Sequence, residues 1–223
     1  MKVHKKAKFK KARWLLVGLA AVLIIFVLLL YKPGGYNPPD FAHSKEVSPY
    51  LTHELLPQLY NGAQLEEPFD LFVSQKGIND IIIRSKWPKE FDCIRFFAPE
   101  VFFAADSIIV MGTIAVSGVE FVATVMVDAS LDQEGLLNLR VAKVKVGAMS
   151  ITPLAKVIAG KMYQKRFAAT DIDTKDLRAQ IAASLLNSKP FEPVFKVEDK
   201  KVRAEKITIT QGKLTVRLVP ANG

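Results

Sequence analysis

The strongest pattern in the chain is an apolar run close to its start. From Trp14 to Tyr31 the sequence reads WLLVGLAAVLIIFVLLLY and contains no charged residue. At a rise of about 1.5 Å per residue, this run spans about 27 Å as a helix, close to the hydrocarbon thickness of a bilayer. The pattern predicts a transmembrane helix over residues 14–31, preceded by a basic cytoplasmic segment over residues 1–13.

The flanks of this run indicate its orientation. Seven basic residues and no acidic residue precede Trp14, which favours a cytoplasmic N-terminus and an extracytoplasmic C-terminal part. We expect the membrane interfaces to lie at Lys10, Lys11, Arg13, Trp14 and Tyr31. A cleaved signal peptide is the alternative, but its apolar region is usually shorter and is followed closely by small residues. We therefore predict a single-pass protein of the cytoplasmic (inner) membrane.

The polar and apolar positions after the run divide the rest of the chain into a linker and one domain. Residues 32–49 are rich in proline and glycine and predict a semi-extended linker. Residues 50–223 have the size of one domain. At its start we predict a short helix over residues 50–60, limited by Pro57, and a strand over residues 69–73. Ser74 then has the side chain to cap a helix that reaches about Lys86.

The middle of the domain shows the alternation of β-strands. Apolar residues alternate over residues 108–116 and 119–127, and Ser117-Gly118 between them is typical of a hairpin turn. A third strand follows with Leu137, Leu139 and Val141, then Val144 and Val146. Two helices, 153–167 and 174–186, and two strands around Gln211-Gly212 follow. The pattern predicts an α+β fold in which two helices pack on a long antiparallel sheet.

Composition restricts the chemistry of this domain. The formal charge is +9, but the chain beyond the N-terminal segment holds 24 basic and 22 acidic residues, so nucleic acid is not an expected partner. Cys93 is the single cysteine, which excludes an intrachain disulfide and a thiolate metal site. The three histidines lie outside the predicted strand and helix body, and the TDIDTKD stretch lacks the spacing of a calcium loop. We therefore predict a non-catalytic protein with no cofactor and no metal.

Two stretches carry a resemblance to a known family. They are SQKGINDIII, residues 74–83, and GLLNLRVAKVKVGAMSITP, residues 135–153. They resemble the bacterial YpmS-like family of membrane-anchored extracytoplasmic proteins over roughly residues 50–170. The resemblance implies a long curved sheet that wraps a helix and leaves an apolar groove, and it implies lipid handling in the cell envelope. It implies no catalytic residue.

The resulting functional hypothesis is lipid binding or lipid transfer through an apolar groove between sheet and helix. Acyl chains gain about 0.8 kcal/mol for each buried methylene. The expected partners are membrane lipids, a phospholipid ligand and other envelope proteins. The alternatives are a filled core, a structural or scaffolding subunit of an envelope complex, and an envelope enzyme with a polar cleft. The candidate lipid-facing residues are Phe121, Val125, Val127, Leu139, Leu154, Ile158 and Met162.

Overall fold

The computed structural model describes residues 3–37, 46–91, 94–167 and 177–221, which form five α-helices and eleven β-strands. Helix α1 covers Val3–Leu30. Its segment Arg13–Leu30 is long and apolar enough to cross a membrane, and none of the residues in this segment is buried in the rest of the protein. The apolar N-terminal helix expected from the sequence is thus confirmed.

The strands form two antiparallel sheets rather than the single long sheet predicted. The α+β class and the antiparallel pairing are confirmed, but the C-terminal hairpin pairs with the early strand and not with the central meander. The smaller sheet has the order β1-β11-β10-β9, with β1 (Phe69–Ser74), β9 (Val194–Val197), β10 (Lys200–Thr210) and β11 (Lys213–Pro220). The larger sheet has the order β2-β3-β5-β6-β7-β8, and β4 also pairs with β5. Its seven strands are β2 (Lys89–Phe91), β3 (Ile94–Phe96), β4 (Glu100–Ala104), β5 (Ser107–Val116), β6 (Val119–Leu131), β7 (Leu137–Val146) and β8 (Met149–Ser150).

Two helices flank strand β1. A π-helical turn, Leu51–Leu55, continues into α2 (Leu56–Gln64), and α3 covers Gln75–Ile83. Pro57 follows the π-helical turn and does not end the helix, which extends past the predicted limit to Gln64. The Gly77 N–H donates to Ser74 Oγ at 3.0 Å, which confirms the predicted cap of α3.

Two local features set the geometry of the long strands. Ser117 and Gly118 have φ angles of 51° and 82°, the left-handed pair that a two-residue hairpin between β5 and β6 requires. Further along, Met126 pairs with Lys143 but Val127 pairs with Val141, so β7 contains one extra residue. This β-bulge shifts the alternation of side chains along β7 by one position.

The core lies between the two sheets and beneath α2. One buried cluster joins α2 to the smaller sheet and contains Ala63, Val202, Ala204 and Leu218. A second cluster joins the two sheets and contains Val73, Val101, Phe103 and Ile209. The side-chain amide of Asn79 holds α3 to β4. It accepts a hydrogen bond from the Val101 N–H at 2.8 Å and donates one to the Val101 carbonyl at 2.9 Å. Helices α4 (Thr152–Phe167) and α5 (Leu177–Asn187) lie against β7.

The end of α1 is attached to the larger sheet. The N–H of Ala148, in the turn between β7 and β8, donates to the Leu28 carbonyl at 2.8 Å. Gly147 has a φ angle of +57°, and a Cβ at this position would overlap the backbone of Leu28 and Leu29. Glycine is therefore required there by both backbone conformation and space.

The segment predicted as a linker contacts the domain at both of its described ends. Tyr36 is buried, and its hydroxyl forms a hydrogen bond with Thr113 Oγ1 at 3.0 Å. At the other end Ser48 is buried, and its hydroxyl donates to the carboxylate of Asp80 on α3. Residues 38–45 lie outside the described part of the chain.

Replacing Gly147 should separate the end of α1 from the sheet. For Gly147→Ala we expect a loss of unfolding free energy of about 1–2 kcal/mol from the left-handed backbone and about 1–3 kcal/mol more from overpacking. Gly118→Ala is the matched control, because Gly118 also has a positive φ but has open space around it. Denaturant unfolding of the full chain in detergent, followed by circular dichroism, measures both losses. Equal losses in the two variants would contradict the close approach of α1.

Candidate functional site

The strands β5, β6 and β7 present two chemically different faces. Successive side chains point to opposite faces of a sheet, and residues paired across antiparallel strands share a face. One face, which we call the apolar face, carries only apolar residues and one glycine. From the strand register it comprises Ile108, Val110, Gly112, Ile114, Val116, Val119, Phe121, Ala123, Val125, Val127, Ala129, Leu131, Leu137, Leu139, Val141, Val144 and Val146.

Part of the apolar face is covered by protein. Ile108, Val110 and Ala129 pack against the buried cluster between the two sheets. Helix α5 covers β7 near Leu139, whose N–H donates to Ser184 Oγ at 2.8 Å. Ser184 is fully buried at this contact. This end of the face is therefore part of the core.

The other end of the apolar face is less covered, and we call it the hairpin half because it borders the β5–β6 turn. It comprises Ile114, Val116, Val119, Phe121, Ala123, Val125, Val144 and Val146. None of these side chains is buried, and none belongs to either buried cluster. Val119 is 37% exposed, and the other seven side chains are partly buried. Apolar surface left in water costs about 25 cal/mol per Å², and a contiguous, incompletely covered apolar patch is a candidate binding surface.

The predicted strand residues do share one face. Phe121 and Val125 lie in the hairpin half, and Leu139 lies beside α5; all three are partly exposed. Val127 is the one buried member of the apolar face. Alternation therefore grouped these four residues correctly, but it could not separate the covered part from the open part.

Two of the apolar residues predicted on the first of the two later helices, α4, do not face the sheet as expected. Leu154 and Ile158 were expected to face the sheet, but their side chains are 57% and 47% exposed, and Val157 beside them is 57% exposed. Thr152 fixes the start of α4 at the edge of β7, because its hydroxyl accepts from the Val144 N–H at 2.9 Å. The apolar stripe of α4 is consequently turned outward. Met162 belongs to α4, and its side chain lies outside the described part of the structure.

The opposite face of the same strands, which we call the mixed face, borders a cavity at the end of α1. Two rows cross the strands β5, β6 and β7. The first is Ile109, Met126 and Lys143, and the second is Met111, Thr124 and Lys145. With Tyr31, Pro33, Gly147 and Ala148 these residues enclose about 310 Å³, which we call the junction cavity.

Sequence reasoning missed the junction cavity, although one signal for it was present. Lys143 and Lys145 alternate with valines in the AKVKV stretch, which places two lysines on one face of a strand. Of the predicted interface residues, Tyr31 lines the cavity, while Arg13 and Trp14 are exposed near the other end of the apolar segment. Lys10 and Lys11 are in α1, and their side chains lie outside the described part.

Two acidic side chains have shifted pKa values. Burial raises the pKa of Glu100, and a hydrogen bond from the Asn37 N–H opposes this shift only in part. One Glu100 carboxylate oxygen is buried and has no hydrogen-bond partner among the described residues. Hydrogen bonds from Ser48 and then Arg84 lower the pKa of Asp80.

Within the described ranges, no group of three or more histidine, cysteine, aspartate or glutamate side chains is placed to hold a metal ion.

Comparison with protein-family models, curated proteins and solved structures finds no match to this chain. The resemblance to the YpmS-like family therefore stays a prediction. Any function has to be argued from the apolar face, α4 and the junction cavity.

Replacing Glu100 with glutamine should remove one part of the pH dependence of stability. Because the folded-state pKa is raised, Glu100 favours folding below its ordinary pKa of 4.5, and this contribution is lost as the pH rises through the raised value. We expect Glu100→Gln to be more stable than the native chain at neutral pH and to show a flatter profile above pH 4.5. Unfolding free energies measured between about pH 4 and pH 8 test this. Glu134→Gln, on an exposed loop, should keep the native profile, and a native profile in Glu100→Gln would refute the argument.

Proposed function

We propose that this chain is a membrane-anchored, non-catalytic protein of the cell envelope that binds lipid acyl chains on the apolar face of its larger sheet. The observation that carries the proposal is the hairpin half, in which eight apolar positions of three adjacent strands are incompletely buried and none packs against either buried cluster. In a closed core, residues facing the interior pack against one another at high density. An unburied set of this size favours a surface that a ligand covers.

Helix α4 adds a second apolar surface. Its exposed Leu154, Val157 and Ile158 lie on a helix that starts beside Val144, itself a member of the hairpin half. Both surfaces therefore border β7, and α4 has to turn for its apolar side chains to face the hairpin half. An acyl chain between them would gain about 0.8 kcal/mol for each methylene removed from water, and the same contact would cover the exposed side chains of α4.

The location proposed for the protein supports a lipid ligand. The Arg13–Leu30 segment is long and apolar enough to span a bilayer, and the basic residues before it favour a cytoplasmic N-terminus. With this orientation the domain is extracytoplasmic. The hydrogen bond between Ala148 and Leu28 would hold the sheet close to the outer surface of the membrane. The resemblance to the YpmS-like family points to the same class of function.

Scaffolding within an envelope complex is the second candidate. Leu56 and Tyr60 are exposed on α2, and they border a surface cavity of about 560 Å³ together with Phe195 and Val197 of β9. An apolar depression beside an edge strand is a suitable contact for a protein partner. This surface is separate from the hairpin half, so the two candidates can be tested independently.

The lipid proposal predicts that the full chain retains lipid after purification in a mild detergent. Leu154→Gln with Ile158→Gln should lower the retained lipid at least about fivefold, because two apolar contacts of roughly 1 kcal/mol each are lost. Lys156→Gln with Lys161→Gln is the matched control on the same helix, where both lysines are exposed. Native mass spectrometry counts the retained lipid in each protein.

Two outcomes would contradict lipid binding at this site. The first is a native chain that carries no more lipid than an unrelated single-span protein purified in the same detergent. The second is equal lipid retention by the glutamine variant of α4 and the native chain. A single dominant protein adduct at Tyr60 after photocrosslinking in membranes, with no retained lipid, would favour scaffolding instead.

The membrane topology is tested separately. We expect the chain to resist extraction by alkaline carbonate, since an uncharged segment of this length stays in the bilayer. In spheroplasts, external protease should remove a C-terminal tag, while an N-terminal tag should stay protected until the membrane is permeabilised. Release by carbonate, or protection of the C-terminal tag in spheroplasts, would refute the proposed arrangement.

A further inference from the structure

We propose that the junction cavity binds the phosphate headgroup of an anionic phospholipid from the leaflet that surrounds the end of α1. Lys143 and Lys145 would pair with the phosphate, and the Thr124 hydroxyl would donate a hydrogen bond to it. The inference depends on insertion of α1 into a bilayer. It does not depend on acyl-chain binding at the apolar face, which is the opposite face of the sheet.

The charge of the cavity comes from two lysines that have no anionic partner among the described residues. Lys143 and Lys145 lie two residues apart on β7, so their side chains leave the same face about 7 Å apart. Neither forms an ion pair with any residue in the described ranges. Arg140 on the same strand differs, because it pairs with Asp128 at 2.8 Å. The two lysines are therefore available to an anion.

Thr124 provides an observation that does not depend on charge. It lines the cavity next to Lys145, its partner across the β6–β7 pair. Its hydroxyl oxygen is buried and has no hydrogen-bond partner among the residues that the structure describes. A buried hydroxyl without a partner is unfavourable, and rotation of the Thr124 side chain toward the cavity would let a phosphate oxygen supply the missing acceptor.

The remaining walls favour a lipid over a free anion. Ile109, Met111 and Met126 make one side of the cavity apolar, and an inorganic phosphate would leave these side chains without a contact. The glycerol carbons and first methylenes of a phospholipid would cover them. A volume of about 310 Å³ accommodates the headgroup region of a lipid but not its chains.

The position of the cavity matches this ligand. Tyr31 and Pro33, which directly follow α1, form its rim. If α1 spans the bilayer, residues just past its end lie at the level of the headgroups. The acyl chains of a bound phospholipid could then remain in the leaflet while its phosphate reaches the lysines.

The test uses the full chain in detergent, titrated with phosphatidylglycerol or phosphatidylcholine and followed by native mass spectrometry. We expect tighter binding of phosphatidylglycerol, and we expect Lys143→Gln with Lys145→Gln to weaken it by about tenfold. Lys196→Gln with Lys201→Gln is the matched control, because these exposed lysines are paired across β9 and β10 in the other sheet. The control should stay within about twofold of the native chain.

Thr124→Val separates the site from a general effect of positive charge. Valine keeps the branched shape and removes a hydroxyl that has no partner, so we expect no loss of stability but about threefold weaker binding of phosphatidylglycerol. Inorganic phosphate at millimolar concentration should not displace the lipid.

Three results would overturn the inference. They are equal affinity for the two lipids, an equal loss in the Lys196 and Lys201 control, or native affinity in Thr124→Val. A fourth result, displacement of the lipid by inorganic phosphate, would identify a soluble-anion site and would also overturn the inference. None of these results bears on lipid retention by α4, so this inference and the proposed function can fail independently.

Discussion

A helix leaves its last carbonyl groups without partners inside the helix, and at Leu28 the larger sheet supplies one. The Ala148 N–H reaches this carbonyl at 2.8 Å because Gly147 lets the β7–β8 turn approach the backbone of α1. Beyond this contact the chain passes over the mixed face, where the hydroxyl of the buried Tyr36 bonds to Thr113. The position of both candidate surfaces relative to α1 follows from this attachment.

The two candidate surfaces lie on opposite faces of the larger sheet, because successive side chains along a strand point to opposite faces. The bulge on β7 determines which residues reach each face. If Ala142 occupied a regular position in the ladder instead of the bulge, Lys143 and Lys145 would point to the apolar face, and Val144 and Val146 would point to the mixed face. One local irregularity thus places two cations beside α1 and two valines in the hairpin half.

Local chemistry made several features predictable from the sequence. The cap at Ser74 and the turn at Ser117-Gly118 depend on neighbouring residues, and both are found as expected. The third strand was expected from its apolar residues, but the bulge after Val141 was not predicted. The pairing of β1 with β11 was not predictable, because it joins residues far apart in the sequence, such as Phe69 and Leu218. The short strands β2, β3 and β8 contain too few residues for alternation to be recognised.

The candidate site was predictable to a smaller extent. Periodicity tells which residues of a helix share a side, but it does not tell which side is buried, and α4 shows this at Leu154 and Ile158. The junction cavity depends on the register of three strands and on the position of α1. The sequence could therefore mark Lys143 and Lys145 as neighbours, but it could not place Thr124 and Met126 beside them.

The opposite orientation of the two faces limits how one lipid could use both. A phospholipid in the junction cavity would keep its acyl chains in the leaflet. Its binding would therefore remove little apolar surface from the bilayer. An acyl chain on the hairpin half would have left the bilayer. Each of its methylenes that stays exposed to water would cost about 0.8 kcal/mol of binding free energy. The sheet covers such a chain on one side, and the outward residues of α4 could cover another only by turning toward it. Acyl binding therefore requires movement of α4, whereas headgroup binding at the lysines requires none.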